Sequence, residues 1–286
     1  MPADVAIEVE DLSKDYGAHQ AVRGISFSVE RGEVFGLLGP NGAGKTTTVE
    51  ILEGYRDRTA GDVRVLGRDP AIRDRELQSR VGIVLQSSGV YPRATVREAV
   101  EHFARIYPRP RDPAETISLV GLDEKADTRA NRLSGGQRRR LDLALALIGD
   151  PEVIFLDEPT TGFDPAARRT AWNAVKALKD LGKTILLTTH YLDEAQALAD
   201  RVAIVKDGRL IAEGPPSELG PGNSSSSRVS YVSEGRRVEL QTDDATELLH
   251  RLTRDALARG ERLEGLEVTR PTLEEVYLEL TEDANP

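Results

Sequence analysis

Three features of the 286-residue sequence predict an α/β fold with a mostly parallel core sheet. Apolar runs of strand length, "EVIFLDEP" and "KTILLTTH", flank a helical pattern, "PAARRTAWNAVKALKDLG". Such alternation implies a sheet covered on both faces. A glycine-rich loop, "GPNGAGKT" over residues 39–46, stands between an apolar run and a helical segment. Two carboxylates, Asp157 and Glu158, end a buried strand, the place where ligands gather in open α/β sheets.

The elements follow in order. "AIEVEDLSKDYG" and "AVRGISFSVERGEVFGLLG" alternate or run apolar, punctuated by Gly17, Gly24 and Gly32, and read as strands and turns. "TTTVEILEG" is predicted helical, stopping at Gly54. "DVRVLG" (62–67) and "VGIVLQ" (81–86) are short strands. From Thr95 to about Gly149 the pattern turns helical: Val96, Val100 and Phe103 share one face, and Leu141, Ala144, Leu145 and Ile148 another. The helix from 165 ends at Gly182. At 214–230 proline, glycine and four serines mark a flexible stretch, predicting a main domain 1–219, a linker 220–227 and a small accessory domain 228–286. In that tail "RRVEL" reads as a strand and "DDATELLHRLTRDALARG" as an amphipathic helix. Thr272 and Glu275 form a capping box ahead of Leu273, Val276, Tyr277 and Leu280 on one helix face.

Composition narrows the class. Hydrophobic residues are 39% and charged residues 30%, as in a soluble globular protein. The longest purely apolar run is "LALALI", far short of the roughly 18 residues of a membrane-spanning helix. No cysteine is present, which excludes disulfides and thiolate chemistry and suits the cytosol. The N-terminus lacks the layout of a secretion signal. A formal charge of −10 disfavours nucleic acid as a partner.

The loop fits G-x-x-x-x-G-K-[ST] through Gly39, Gly44, Lys45 and Thr46. Glycines let consecutive N–H groups point inward at phosphate oxygens, and the following helix adds its positive end. Asn41, Gly42 and Thr47 complete the expected phosphate cradle. Lys45 supplies a cation to the β- and γ-phosphates, and the Thr46 hydroxyl can ligate Mg²⁺. Asp157 is the natural Mg²⁺ partner, and Glu158 the natural group to polarise an attacking water. A second feature is "LSGGQ", ending 20 residues before Asp157. Ser134 caps a helix there, and Gly135 and Gly136 expose N–H groups at its positive end, a second anion site.

On "RLSGGQRRRLDLALALIGDPEVIFLDEPTTGFDP" the sequence resembles the ATP-binding subunits of ABC transporters, a likeness covering about residues 5–215. The resemblance implies an ABC-type P-loop NTPase: an N-terminal antiparallel β subdomain, a helical signature subdomain at about 95–149, and the small C-terminal α/β domain. It implies ATP hydrolysis with ATP and Mg²⁺, in a head-to-tail pair where Ser134, Gly135, Gly136 and Gln137 of one subunit meet ATP held by the other. Gln86 matches the Q-loop glutamine that reaches Mg²⁺. Asp164 matches the D-loop that bridges the dimer, although Phe163 stands where the family usually has leucine. His190 matches the switch histidine on the γ-phosphate, and Tyr16 the aromatic that stacks on adenine. His19, His102 and His250 are expected to be ordinary surface or packing residues. "RRR" at 138–140 is expected on the exposed, solvated side of the signature helix.

Two functions remain compatible with these motifs: the motor of a transporter with a separate permease, or a soluble ABC ATPase of translation, repair or cluster assembly. "VLQSSGVYPRATVREAVEHFARIY" is similar to the region of exporter ATPases where a permease helix docks. There is one cassette and no long coiled-coil insertion. "LSGGQRRRLDLALALIGDP" and "PTLEEVYLELT" resemble the daunorubicin-resistance type of bacterial drug-export ATPases. The resemblance therefore implies an exporter motor on the cytoplasmic face of the membrane, paired with an identical or paralogous ATP-binding subunit.

Overall fold

The computed structural model describes residues 5–84, 92–219, 227–233 and 236–269. The chain divides into two compact units, Met1–Glu213 and Gly214–Pro286. The division precedes the expected linker.

The first unit opens with β1 (Val5–Tyr16), β2 (His19–Glu30) and β3 (Val34–Leu38), then α1 (Lys45–Leu52) and β4 (Ala60–Val65). Next come α2 (Arg75–Ser79), β5 (Val81–Val84), α3 (Val96–Ala104), α4 (Pro113–Leu119) and α5 (Gly135–Leu147). It continues with β6 (Val153–Asp157), α6 (Pro165–Asp180), β7 (Thr184–Thr189), α7 (Leu192–Leu198), β8 (Arg201–Lys206) and β9 (Arg209–Gly214). A three-stranded sheet runs β2-β1-β4, antiparallel throughout. A six-stranded sheet runs β5-β6-β7-β3-β8-β9, and its pairings among β3, β5, β6, β7 and β8 are parallel.

The core strands are apolar because both faces are covered. In β6, Ile154 and Leu156 face a cluster built with α3, α4 and α5, while Val153 and Phe155 face a cluster shared with the antiparallel sheet and α1. Phe27 of β2 stacks on Phe35 of β3 at 5.2 Å, tying the two sheets. Each such aliphatic side chain contributes roughly 1.5–3 kcal/mol on burial. In the helical region Thr95 and Glu98 form a capping box at α3, and Leu141, Ala144 and Ile148 are fully buried.

In the second unit β10 (Ser227–Ser233), β11 (Arg236–Thr242), α8 (Ala245–Ala258) and β12 (Glu264–Thr269) form an antiparallel sheet ordered β11-β10-β12 with one helix. Ser227, assigned to the linker by composition, begins β10. Among its described residues Val229, Leu248 and Ala256 are buried, and Leu257 is 75% exposed. The remaining linker positions 220–226 and the Thr272/Glu275 capping box lie outside the described residues.

Candidate active site

Strand order places the chemistry. β3 lies beside β7, and β7 beside β6, with Leu38 opposite Thr189 and Thr188 opposite Asp157. The glycine loop, His190 and the Asp157–Glu158 pair therefore leave the sheet in one row at its C-terminal edge.

The loop is held from below. A Cβ on Gly39 would stand 2.2 Å from the Val205 carbonyl, and one on Gly44, whose φ is +101°, would stand 2.5 Å from that of Ala21. Gly44 caps α1 without a side chain, so the first N–H groups of the helix stay available to a ligand. Lys45 is 4% exposed and donates from Nζ to the carbonyls of Gly39 (2.7 Å) and Pro40 (3.0 Å). Burial lowers its pKa, against the pull of Glu158 and Asp157. One cleft gathers Tyr16, Asn41, Gly42, Gly44, Lys45, Thr46, Thr47 and Glu158. Lys14 and Arg56 stand 5.2 Å and 5.3 Å from the Tyr16 ring centre. His19, expected to be an ordinary surface residue, lines the same cleft, brought there by its pairing with Tyr16 in the β1–β2 hairpin.

The carboxylates are tightly placed. Thr188 Oγ1 donates to Asp157 Oδ1 at 2.5 Å. The Glu158 N–H donates to the Thr188 carbonyl (3.2 Å) and hydroxyl (3.0 Å), and Glu158 has φ +45°. Its Oε2 accepts from the Thr161 hydroxyl at 3.0 Å, and its Oε1 lies 3.2 Å from His190 Nδ1. No local pattern in the sequence marks Thr188 and Thr161, since threonine is common in strands and turns.

Glu158 also lines a second cleft, with Ser134, Gly135, Gly136 and Asp164. Ser134 Oγ accepts the Gln137 N–H at 3.3 Å, and Gln137 Oε1 accepts the Ser134 N–H at 3.0 Å, closing a capping box at α5. Gln137 is thereby committed to its own helix. Asp164 Oδ1 accepts the N–H groups of Ala166 and Ala167, capping α6. Gln86 lies outside the described residues. The solvated reading of "RRR" is corrected. Arg139 turns inward and donates to the Asp157 carbonyl at 2.9 Å, and Arg140 donates to the Gly121 carbonyl at 2.7 Å, because a long side chain can bury its stem and bond a backbone carbonyl. Of the three, only Arg138 is exposed. Beside Arg139, burial pushes the Asp142 carboxyl up to about 6, against the pull of Arg139 and Arg138.

A glycine loop feeding a helix N-terminus, with a buried lysine and an acid pair two strands along the same sheet edge, defines a P-loop nucleotide-binding fold. The ABC transporter family matches residues 22–161. The chain is 38% identical over 308 aligned positions to the daunorubicin resistance ATP-binding protein DrrA3 of Streptomyces coeruleorubidus, covering 98% of this chain and 97% of that protein. It is 45% identical over 221 residues to the Nod factor export ATP-binding protein I of Paraburkholderia xenovorans (strain LB400), covering 76% and 73%. Among solved structures, a dimeric post-hydrolysis ATP-binding cassette bound to ADP and Pi superposes with TM-score 0.65 at 26% identity, covering 73% of this chain and 98% of that one. The chain belongs to the ABC transporter family, as an ATP-binding subunit that hydrolyses ATP to ADP and phosphate. No helix among the described residues is long and apolar enough to cross a membrane.

Proposed function

We propose that the chain is the motor of an exporter of drug-like or lipid-like molecules. Two copies, or this chain and a paralogue, pair head to tail so that each ATP lies between one glycine loop and the partner's signature helix. A separate permease holds the pair at the cytoplasmic face of the membrane. The relatives named for Nod factor export and daunorubicin resistance support the export reading. The dimeric neighbour supports the pairing.

The observation that carries the mechanism is Glu158, fixed by Thr188, Thr161 and His190 over the cleft that holds Lys45. In this reading Lys45 leaves the Gly39 and Pro40 carbonyls for the β- and γ-phosphates. The glycine-loop amides bind the same phosphates, with Asn41, Gly42 and Thr47 around them, and Tyr16 stacks on adenine. Glu158 orients the attacking water and accepts its proton, while His190 holds the γ-phosphate. Ser134, Gly135 and Gly136 close the site from the partner subunit, and Asp164 bridges the pair. Catalysis is then positioning and electrostatics, as phosphoryl transfer requires. The donor set suits Mg²⁺: the exposed Thr46 hydroxyl and the Asp157 carboxylate are hard oxygens too few to form a cage. Such a set fits an ion that keeps water and phosphate ligands. Thr46 and Asp157 would hold it, with Gln86 reaching toward it. When bound, Mg²⁺ would supply positive charge that offsets the charge developing on the phosphates.

Glu158→Gln tests this. Hydrolysis is expected to fall by at least about 10²-fold while saturable binding of a fluorescent ATP analogue persists. Near-normal turnover would refute the role. Co-purification of the chain with a co-expressed membrane subunit tests the permease partnership separately.

A further inference from the structure

Just past His190 the chain carries an acid that the ATP chemistry above does not use. Glu194 lies in the first turn of α7, where an acid suits the positive end of a helix. Yet it does not face solvent: it is 0% exposed, and its carboxyl reaches α6 and the turn before it. Oε1 accepts from the Thr160 hydroxyl at 2.8 Å and from the Trp172 indole N–H at 3.2 Å. Oε2 is buried and makes no hydrogen bond among the described residues. Burial raises the carboxyl pKa, against the nearby hydroxyls of Thr189 and Thr160, the indole and the charge of Arg168. A buried acid with one idle oxygen costs stability, and an apolar side chain would serve the fold better. A local rule broken with no gain to the fold is expected at functional positions.

The partner of this acid is informative. Thr160 is 1% exposed and stands two residues past Glu158. Its carbonyl accepts the Phe163 N–H at 3.1 Å, so Thr160 anchors the turn that runs from Glu158 to Asp164. Among the described residues, three ties join this turn to segment 188–194. Thr188 holds the Glu158 N–H, His190 meets the Glu158 carboxylate, and Glu194 holds Thr160. The first two act at Glu158 itself. The third acts beyond Pro159 and closes a ring: His190, Glu158, Thr160, Glu194, and back along the chain to His190. Glu194 is itself steadied from α6, where Arg168 pairs with Asp193 at 3.0 Å and lies 4.4 Å from the centre of the Tyr191 ring.

We propose that Glu194 is a positioning residue for ATP hydrolysis: by holding Thr160 it fixes the turn that carries Glu158, and so the direction in which the Glu158 carboxylate meets the attacking water. Glu194 has this task only if Glu158 has the role proposed for it above, and it adds the group that aims that carboxylate. It lines neither of the two clefts of the site, so it acts through Thr160 and not on the nucleotide. Lys45 and the glycine loop do not depend on the bond. Losing it therefore lowers kcat and leaves KM for ATP in place.

The test compares steady-state ATP hydrolysis by the full chain and its variants, each read below its own melting temperature by circular dichroism. T160V removes the donor at nearly constant volume, and T160S keeps it. T160V is expected to lower kcat by about tenfold or more with KM for ATP within about twofold of the parent, and T160S to restore most of the loss. E194L should match T160V, and E194Q, which keeps the Oε1 acceptor, should approach the parent. Should E194L fail to fold, T160V and T160S decide alone. In single turnover T160V should add no further loss to E158Q, because the bond works through the carboxylate already replaced. A parental kcat in T160V overturns the proposal. So does a fall in kcat matched by a rise in KM, or a further fall when T160V is added to E158Q. Those results leave the role of Glu158 standing. Near-normal turnover in E158Q alone removes that role, and the task of Glu194 with it.

Discussion

In the loop over residues 39–46 a methyl group on Gly39 would meet the Val205 carbonyl at 2.2 Å, and one on Gly44 the Ala21 carbonyl at 2.5 Å. In the signature turn a methyl group on Gly135 would meet nothing within 4 Å, and one on Gly136 only Ala167 Cβ at 3.5 Å. Neither Gly135 nor Gly136 has a positive φ. The first pair of glycines is demanded by this chain's own packing. The second is demanded by nothing among the described residues. One loop is locked by the fold around it, and the other is sterically open, as the head-to-tail pairing proposed above requires.

Four substitutions test that contrast, from the largest expected effect to the smallest. Gly39→Ala should destabilise the protein by about 3 kcal/mol or more, since the displaced atom is backbone, and thermal unfolding reads it directly. An unchanged Tm would mean the loop is less constrained than its geometry. Gly135→Ala should leave stability within about 0.5 kcal/mol while hydrolysis falls by about 10²-fold. If it unfolds the protein instead, the contrast is lost. Ser134→Ala removes the acceptor of the Gln137 N–H and should cost about 1 kcal/mol of stability. It should also flatten the rise in activity per molecule with protein concentration; a retained rise would separate the cap from any role across the pair. The smallest effect lies at Glu152, which serves the fold alone. Its bond to Arg80, aided by Arg31, holds the carboxyl down at about 2. The stabilisation is present above about pH 4.5 and is lost as pH falls toward 2. Glu152 is 39% exposed, so solvent screening keeps the effect modest. The Tm difference between the parent chain and Glu152→Gln should narrow over that acid range; a constant gap would rule the pairing out as its source.

Legibility in the sequence follows range. The buried strands β6 and β7 and the helices α1, α5 and α6 are readable because their patterns are local: continuous apolar runs, a 3.6-residue period, Ser134 with Gln137 three residues on. The glycine loop and the acid pair are readable as motifs, and strand order then brings them into one row. Contacts between remote residues are not. Arg139 reaches the Asp157 carbonyl across 18 residues, and Thr188 reaches Asp157 across 31, with no local pattern to announce either. Reading all three arginines as solvated treats charge as a surface property, when a long side chain can bury its stem and bond a carbonyl.

Glu158 sits in left-handed backbone, φ +45°, at the exit of the central sheet. An L-residue there carries a standing penalty of order 1–3 kcal/mol. Glycine would relieve it, so under the role proposed for Glu158 the sequence that folds most comfortably differs from the sequence that hydrolyses ATP. Selection for thermal robustness alone should drift toward Glu158→Gly and yield a sturdier, silent protein, which makes this position a marker of whether a variant library was screened for endurance or for turnover.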